Sequence, residues 1–298
     1  MKRVVSVSLG SSKRDHAAEI ELFGEKFRLE RIGTDGDIQK MIALIKEFDG
    51  KVDAFGLGGI DLYIQAVDRR YTLRDAQKIA AAARLTPIVD GSGLKNTLER
   101  RIIRHLAKEK GIFNERKKVL LVCAMDRFGM AEAMQELNCE VIYGDVLYVL
   151  GLPFPVTSLK VLALLARLLV PVIRLLPFRL IYPTGEKQEE NKPRFPRYFE
   201  EADIIAGDFH FIRCYMPSRL DGKTIITNTV TPDDLFLLKK SGVKLLITTT
   251  PELEGRSFGT NVMEAMLVAL SGKKEELTPQ EYESLLEKLD LKPRLVYF

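Results

Sequence analysis

Residues 119–143 read VLLVCAMDRFGMAEAMQELNCEVIY, and this stretch decides the fold. The apolar run 119–123 predicts a buried strand, residues 128–137 predict a helix, and residues 140–143 predict a second strand. A strand, a helix and a strand of this size form a βαβ unit, whose two strands are parallel. The stretch therefore predicts an α/β domain built on a parallel sheet.

The chain that follows this unit continues the alternation of short strands and helices, which favours a parallel sheet with right-handed crossovers. We predict a Rossmann-like doubly wound parallel-sheet domain over residues 115–298, with a hydrophobic helical insertion at about 150–200 and a C-terminal helix. The predicted strands are 203–206, 223–227 and 243–248, and the predicted helices are 232–241, 260–270 and 279–289.

The preceding residues, 1–114, predict a mixed α/β lobe on the substrate side of the molecule. Two strand-like runs, 18–23 and 26–32, flank Gly24-Glu25 and predict a hairpin. Asp35-Gly36-Asp37 predicts the start of a helix with one apolar face. Further strands are predicted at 3–9, up to Phe55 and at 87–89, and further helices at 74–84 and 94–109.

The composition is typical of a globular protein of two domains. A chain of 298 residues is near the upper size for a single hydrophobic core. Hydrophobic residues make up 46% of the chain and charged residues 29%, which excludes disordered and membrane-integral classes. The net charge of +4 comes from 45 basic and 41 acidic residues, so we expect no concentrated basic face and no nucleic-acid partner.

The cysteines and the N-terminus predict a cytoplasmic protein. Cys123, Cys139 and Cys214 are scattered, and no Cys/His cluster has the spacing of a zinc site, so no metal is expected. The first apolar run is too short for the core of a signal peptide. A reducing, cytoplasmic compartment fits these observations.

Residues 157–182 form a long apolar stretch that needs a partner surface. Lys160, Arg167 and Arg174 recur every seven residues, so a transmembrane helix is not expected. Pro171 and Pro177 predict a break or a kink in the helix, which would give two shorter pieces. We expect this stretch to be buried between the lobes or in a homodimer, with attachment to a membrane surface as the alternative.

The turn Ala124–Gly129 is the predicted cofactor site. It follows a strand and precedes a helix, where a dinucleotide fingerprint reads G-x-G-x-x-G, but here Asp126 replaces the second glycine and only Gly129 remains. Asp145 ends the next strand, where an acid binds the adenosine ribose of NAD. The alternative is a polar turn on a Rossmann-like scaffold.

Asp90-Gly91-Ser92-Gly93-Leu94-Lys95-Asn96-Thr97 is the predicted chemical site. Ser92 is expected to cap the helix and to leave backbone N–H groups, together with Asn96, for a substrate. The helix dipole should disfavour the charge of Lys95, which suits a general base or a polarising donor. The alternative is a solvated lysine on a capped helix.

Three further loops carry candidate ligand-binding residues. Arg256, in the loop 248–261, is a candidate for holding a substrate carboxylate, although such loops also serve solubility. His210 follows a strand end and is a candidate for proton transfer, although single histidines are often structural. Asn228 and Thr229 are expected to line the nicotinamide side of a bound cofactor.

The chain resembles bacterial proteins labelled quinate 5-dehydrogenase, which are related by name to shikimate dehydrogenases. The likeness rests on RVVSVSLGSSKRDH, ERIGTDGD, DAFGLGGIDLY, IVDGSGLKNTLERR, VCAMDRFGMAEA, EADIIAGDFHFIR and TTTPELEGRSFGTNVMEA. The resemblance implies a substrate domain followed by a nucleotide domain. It also implies a catalytic lysine and aspartate, for which Lys95 and either Asp90 or Asp61 are the candidates. The glycine-rich cofactor loop and an N-V-T-x-P-x-K stretch are missing from the sequence.

Two functions follow from these features. The first is an NAD(P)-dependent oxidoreductase of a small hydroxylated carboxylic acid, quinate-like or shikimate-like, with NAD favoured over NADP because Asp145 would repel a 2′-phosphate. The second is a non-catalytic ligand-binding or regulatory protein on a Rossmann-like scaffold, which the acid at Asp126 favours.

Overall fold

A computed structural model describes residues 1–22, 24–66, 69–113, 116–177, 191–250, 252–253 and 256–298. The strands are β1 Lys2–Ser8, β2 His16–Leu22, β3 Glu25–Gly33, β4 Ala54–Gly58, β5 Tyr63–Ala66, β6 Arg69–Thr72, β7 Ile88–Val89, β8 Lys118–Leu121, β9 Glu140–Tyr143, β10 Ile204–Ala206, β11 Thr224–Thr227, β12 Leu245–Thr248, β13 Glu252–Leu253, β14 Arg256–Ser257 and β15 Arg294–Tyr297. The helices are α1 Ile38–Phe48, α2 Arg74–Ala80, α3 Ser92–Lys110, α4 Phe128–Glu136, α5 Leu159–Ile173, α6 Pro196–Glu201, α7 Phe209–Tyr215, α8 Pro232–Lys240, α9 Thr260–Ser271 and α10 Pro279–Leu289.

The first sheet has the strand order β2-β3-β1-β4-β7. All its neighbours are parallel except β2 and β3, which form the predicted hairpin. Gly24, between these two strands, has φ +73°, a conformation that favours glycine in a tight turn. Helix α1 begins where predicted, because the Asp37 side chain accepts from the N–H groups of Gln39 and Lys40.

The second sheet has the strand order β15-β12-β11-β10-β8-β9. Strands β9 to β12 are parallel as predicted, and the additional edge strand β15 is antiparallel to β12. Side chains of β8 face two different cores, since Val119 and Leu121 pack on one side and Leu120 packs on the other. Helices therefore cover both faces, and the predicted mixed α/β fold with parallel sheets is confirmed.

One hydrophobic core joins the two sheets. It contains Val4, Leu29 and Ala54 of the first sheet and Val119 and Ile247 of the second. Helices α3, α4, α9 and α10 supply most of the other side chains of this core. Helix α9 follows the second sheet in the chain but packs on strands β1, β3, β4 and β7 of the first. The four helices thus form a shared middle layer.

Helix α5 covers the outer side of the first sheet with only one of its faces. Ala166 and Val170 are buried there against residues from β5 and α2, and Leu162 is buried in the shared core. The expected burial against the other lobe is therefore present, while the homodimer stays a prediction. The helix continues through Pro171 and ends at Ile173, so the predicted break at this proline is wrong. Residues 178–190 of the predicted stretch lie outside the described residues.

Within the described part of the chain, the helices fall short of the combined length and hydrophobicity needed to cross a bilayer.

Several predicted ends of helices and strands differ from the observed ones by one or more residues. Helix α2 ends at Ala80 rather than 84, and β8 ends at Leu121 rather than 123, because Val122 to Ala124 already belong to the turn that leads into the next helix.

Candidate functional site

Polar side chains from the strand ends of both sheets meet between the lobes. Lys95, on the helix after β7, lies with its Nζ atom 2.8 Å from Asp126 Oδ1, and Asp126 follows β8 of the other sheet. Arg14, which follows β1, lies with Nη1 3.3 Å from Nε2 of His210, which follows β10. The carboxyl edges of the two parallel sheets therefore face each other, and the region between them is called the cleft below.

This cleft lies at the switch point of each sheet. In the second sheet β9 lies on one side of β8 and β10 on the other, so the chain reverses direction of winding between β8 and β10. In the first sheet the same reversal falls between β1 and β4. Ligands of open α/β sheets bind outside the carboxyl ends of the strands at such points. The geometry makes the cleft the candidate functional site.

Lys95 is the central group of the site. Its Nζ atom lies 2.8 Å from Asp126 and 3.5 Å from Asp61, so one ammonium group joins two carboxylates from different lobes. The Lys95 side chain is only 9% exposed, whereas Asp61 and Asp126 are 17% and 20% exposed. Both acids therefore remain partly exposed, while the cation between them is almost fully buried.

The charge of Lys95 differs from the predicted one. Burial by itself would lower the pKa of Lys95, but Asp126 and Asp61 outweigh burial and raise the pKa above its ordinary value. The helix dipole predicted a weakened charge, and that prediction is wrong because two nearby carboxylates act more strongly than the helix end. The two carboxylates thus favour the charged form of Lys95, and its predicted catalytic role stays a prediction.

Asp126 is the group whose protonation can change near neutral pH. Burial raises the pKa of Asp126 to about 7, although Lys95 opposes this rise, and the charge of Asp61 adds to it. An acid with a pKa near the working pH is suited to accept and return a proton. This role is open to Asp126 because its side chain is partly exposed.

A second network of charged side chains, centred on the buried Arg127, lies next to these residues. Arg127 contacts Glu99, and its Nη2 atom lies 2.9 Å from Asp208 Oδ2. Asn228 donates from Nδ2 to the same Asp208 oxygen at 2.9 Å. Burial alone would raise the pKa of Asp208, but Arg127 lowers it to about 2, so this carboxylate stays charged. The roles of Arg127, Glu99 and Asp208 were not predicted from the sequence, although the turn that holds Arg127 was recognised.

Asp90 and Ser92 are used to build the start of α3. The Asp90 carboxylate accepts from the N–H groups of Leu62, Tyr63 and Ser92 and from the Ser92 hydroxyl. Ser92 is the first helical residue, and Gly91, with φ +97°, is the N-cap. The prediction that Ser92 caps the helix is therefore wrong, because Asp90 already binds both polar groups of that residue. The predicted catalytic and substrate-binding roles of Asp90 and Ser92 stay predictions.

The Asp145 carboxylate binds the backbone of the predicted cofactor turn. The Asp145 carboxylate accepts from the backbone N–H groups of Ala124 and Met125, at 3.0 Å and 2.9 Å, and is buried. These N–H groups are the ones that a pyrophosphate would need at such a turn. The residues of this turn therefore do not fit a dinucleotide in the predicted mode.

Gly129 and Asn96 serve the packing of α3 against α4. A Cβ atom at Gly129 would lie 2.4 Å from Asn96 Oδ1 and 2.5 Å from the Asn96 carbonyl oxygen. Gly56 of β4 has the same kind of role, since a Cβ atom there would lie 2.9 Å from the carbonyl oxygen of Asn261 in α9. These glycines permit close contact between elements rather than the approach of a phosphate.

The structure describes the side chains of some, but not all, of the remaining predicted site residues. His210 is half-buried beside Arg14, and burial lowers its pKa although Asp208 opposes this. Thr229 is half-buried after β11, next to Asn228, whose carbonyl accepts from the Thr250 hydroxyl at 2.7 Å. Arg256 lies in β14, and its side chain is outside the described part of the chain. The substrate and cofactor roles of these residues stay predictions.

Two family descriptions match the chain. Residues 93–298 match the family described as Domain of unknown function (DUF8754), and residues 3–90 match the one described as Domain of unknown function (DUF8753). The division between the two matches falls at residues 91–92, at the start of α3, whereas the predicted domain boundary is at residue 114. A search of curated proteins finds no match to the chain.

Several solved structures share a distant likeness. The NAD-dependent malic enzyme of Thermotoga maritima is 13% identical, with a TM-score of 0.36, over 92% of this chain and 73% of that chain. A carbohydrate transporter solute binding protein from Agrobacterium radiobacter, in complex with D-arabinose, is 12% identical, with a TM-score of 0.39, over 99% of this chain and 94% of that chain. A sugar ABC transport substrate-binding protein from Bordetella parapertussis is 9% identical, with a TM-score of 0.38, over 99% and 89%. At TM-scores below 0.5 these likenesses are too distant to define a function.

Proposed function

The chain belongs to the family described as Domain of unknown function (DUF8754), and we propose that it is an enzyme acting on a small hydroxylated molecule in the cleft between its two sheets. One observation carries the proposal. A charged lysine, Lys95, lies between Asp61 and Asp126 where the strand ends of both sheets meet. Asp126 then exchanges a proton with a hydroxyl group of the bound molecule, while Lys95 donates a hydrogen bond to it.

The acids of the cleft favour a ligand rich in hydroxyl groups. Asp61, Asp126 and Asp208 offer carboxylate oxygens, each of which accepts hydrogen bonds from a ligand hydroxyl. A ligand carboxylate would be repelled by these three groups. If the substrate is a hydroxylated acid, as the resemblance to quinate and shikimate dehydrogenases implies, its carboxylate belongs on the Arg14 side of the cleft, beside His210.

The reaction class that we propose is oxidation and reduction on a Rossmann-like scaffold, with quinate-like or shikimate-like substrates and NAD(P) as the resemblance implies. The site supports the proton part of such a reaction, because Asp126 accepts the hydroxyl proton as the carbon is oxidised. The Asp145 carboxylate occupies the turn that NAD(P) would use, so the cofactor has to bind elsewhere along the cleft or displace Asp145.

A second candidate function is a ligand-binding protein without catalysis. The turn bound by the Asp145 carboxylate favours it, since a scaffold that has lost its pyrophosphate site keeps the cleft but not the cofactor. In that case Lys95 and its two acids would recognise the ligand, and Asp126 would make binding depend on pH.

Calorimetric titration separates these possibilities. We expect quinate, shikimate or a related polyol to bind the purified protein, and we expect Lys95→Met to weaken binding by at least about tenfold because a buried donor is lost. Lys108→Met, an exposed lysine on the same helix, is the matched control and should bind as the wild type does. Equal binding by wild type and Lys95→Met would refute the assignment of the site.

A fluorescence titration with NADH and NADPH then tests the enzyme proposal. Binding of either reduced cofactor, together with reduction of NAD+ or NADP+ when the polyol is supplied as the hydride donor, supports the oxidoreductase. Polyol binding without any cofactor binding at millimolar concentration rejects the oxidoreductase and leaves the ligand-binding protein.

A further inference from the structure

Helix α5 has two apolar faces, and only one of them is covered. The inner face carries Leu162, Ala166 and Val170, which are buried against the rest of the protein. The outer face carries Val161, Leu164, Leu168 and Val172, which recur at helical spacing on the opposite side. An ordinary surface helix has polar residues on that side.

The outer face exposes a continuous apolar stripe. Leu164, Leu168 and Val172 are 57%, 63% and 60% exposed, and they are spaced four residues apart along one side of the helix. Leu175 and Leu176, which follow the helix, are also exposed. A stripe of large side chains this long on a protein surface marks a binding site for another apolar surface.

Charge identifies the chemistry of that surface. Lys160, Arg167 and Arg174 are exposed and form one edge of the apolar stripe, since they also recur at helical spacing. Residues 146–177 contain these three cations and no acidic residue. At the end of α5 the backbone N–H of Arg74, the first residue of α2, donates to the Arg174 carbonyl. Within α2, Asp75 lies within 4 Å of both Arg74 and Lys78. With two cations and one acid, helix α2 is also net basic.

We propose that the outer face of α5 binds the surface of an anionic lipid bilayer. The helix would lie in the plane of the interface, with its apolar stripe among the acyl chains and its cations beside the lipid phosphates. This arrangement needs no helix long enough to cross the bilayer. It is independent of the chemistry proposed for the cleft.

A second copy of the chain is a poorer occupant of this face. In a two-fold dimer the same face meets itself, so both partners bring the same apolar stripe and the same excess of cations. Residues 146–177 contain no acidic residue of opposite charge. An anionic bilayer offers both an apolar interior and negative charge, and it satisfies the two features of the face together.

Vesicle flotation tests the proposal with the full chain. We expect the protein to float with vesicles of phosphatidylglycerol and phosphatidylcholine and to bind pure phosphatidylcholine at least about tenfold more weakly, because each cation near an anionic surface contributes about fivefold. The variant L164Q/L168Q/V172Q should lose at least about tenfold in partitioning, since three apolar side chains leave the acyl region. Its control is L85Q/F236Q, which changes exposed apolar residues elsewhere. Thermal melting verifies that both variants are folded.

Three results would overturn the proposal. The first is a wild type that stays with the soluble fraction at every lipid composition. The second is a dimer in sedimentation equilibrium that L164Q/L168Q/V172Q abolishes while no vesicle binding is seen, which would assign the face to a second copy. The third is equal flotation by the stripe variant and its control. A monomer whose flotation falls in the stripe variant, and also in K160Q/R174Q at low salt, supports it.

Discussion

Asp126 and Glu264 are two acids with raised pKa values in very different surroundings. Burial raises the pKa of Asp126 to about 7, yet its carboxylate lies 2.8 Å from the Lys95 ammonium and remains partly exposed to the cleft. Glu264, on α9, is fully buried and accepts from the Tyr282 hydroxyl and the Leu94 N–H. Burial raises its pKa to about 8, and the charges of Asp90 and Glu276 add to the rise.

The difference shows which of the two can work on a ligand. Asp126 has a charged partner, the Lys95 ammonium at 2.8 Å, and 20% of its side chain remains exposed. Glu264 has neither, so its role is structural. Its hydrogen bonds with Tyr282 of α10 and Leu94 of α3 join α9 to these two helices. A raised pKa by itself does not identify a functional site, since structural networks also perturb pKa values.

The largest expected effect comes from Lys95→Met. Removal of one partner from a buried ion pair leaves Asp61 and Asp126 close together without a cation, which should lower the free energy of unfolding by about 3–5 kcal/mol. Urea denaturation at pH 7 measures this, with Lys108→Met expected to stay within about 0.5 kcal/mol of the wild type. The double variant Lys95→Met/Asp126→Asn should recover part of the loss. If it recovers nothing, the two side chains are not coupled.

Glu264→Gln should produce the second largest effect, and it depends on pH. The folded-state pKa of Glu264, about 8, is above the unfolded value, so the wild type loses stability as pH rises from about 4.5 to about 8. The loss is on the order of 1 kcal/mol per pH unit, and the glutamine, which cannot ionise, is free of it. Unfolding curves at pH 5 and pH 8 measure the difference between the two proteins. A difference that stays constant with pH would contradict the raised pKa.

Asp126→Asn should change the pH dependence of ligand binding. In the wild type the affinity for a polyol should change by about tenfold around pH 7, as the carboxylate of Asp126 changes its protonation state. The asparagine variant should bind with one affinity between pH 6 and pH 8. Calorimetry across this range tests the expectation, and an inflection near pH 7 that survives in the variant would assign it to another group.

The smallest expected effect is that of Tyr282→Phe. The variant removes the hydroxyl that donates to Glu264, which should cost about 1 kcal/mol at neutral pH. It should also raise the pKa of Glu264 further, because that hydrogen bond favours the charged form. Thermal unfolding at pH 6 and pH 8.5 measures both changes. A variant that is as stable as the wild type at both pH values would show that the contact contributes nothing.

Features that depend on neighbouring residues could be predicted from the sequence. The hairpin around Gly24, the cap at Asp37 and the capping box of Thr278 with Glu281 are each encoded within a few residues. Lys95 and Asp61 could be placed in one cleft, because the carboxyl ends of parallel strands share an edge.

The rest depends on contacts between distant parts of the chain. Glu264 stands in the apolar run VMEAMLVAL, and only the crossing of α9 onto the first sheet buries it beside Tyr282. Arg127 pairs with Glu99 of α3 and with Asp208, which precedes α7. The relative orientation of these parts of the chain is not specified by any local sequence pattern. The charge of Lys95 was predicted wrongly for the same reason, since Asp126 reaches it from the other sheet.

The crossing of α9 also determines the order in which the protein can assemble. Lys2, at the start of β1, donates from Nζ to the carbonyl of Ala269 at 2.7 Å, across 267 residues of sequence. Asn261 similarly donates to the Ser6 hydroxyl at 2.7 Å. The first sheet precedes α9 by about 200 residues in the chain, so one of its faces gains its cover only when α9 has been synthesised. Contacts of such sequence separation slow folding and leave apolar strands exposed until they form.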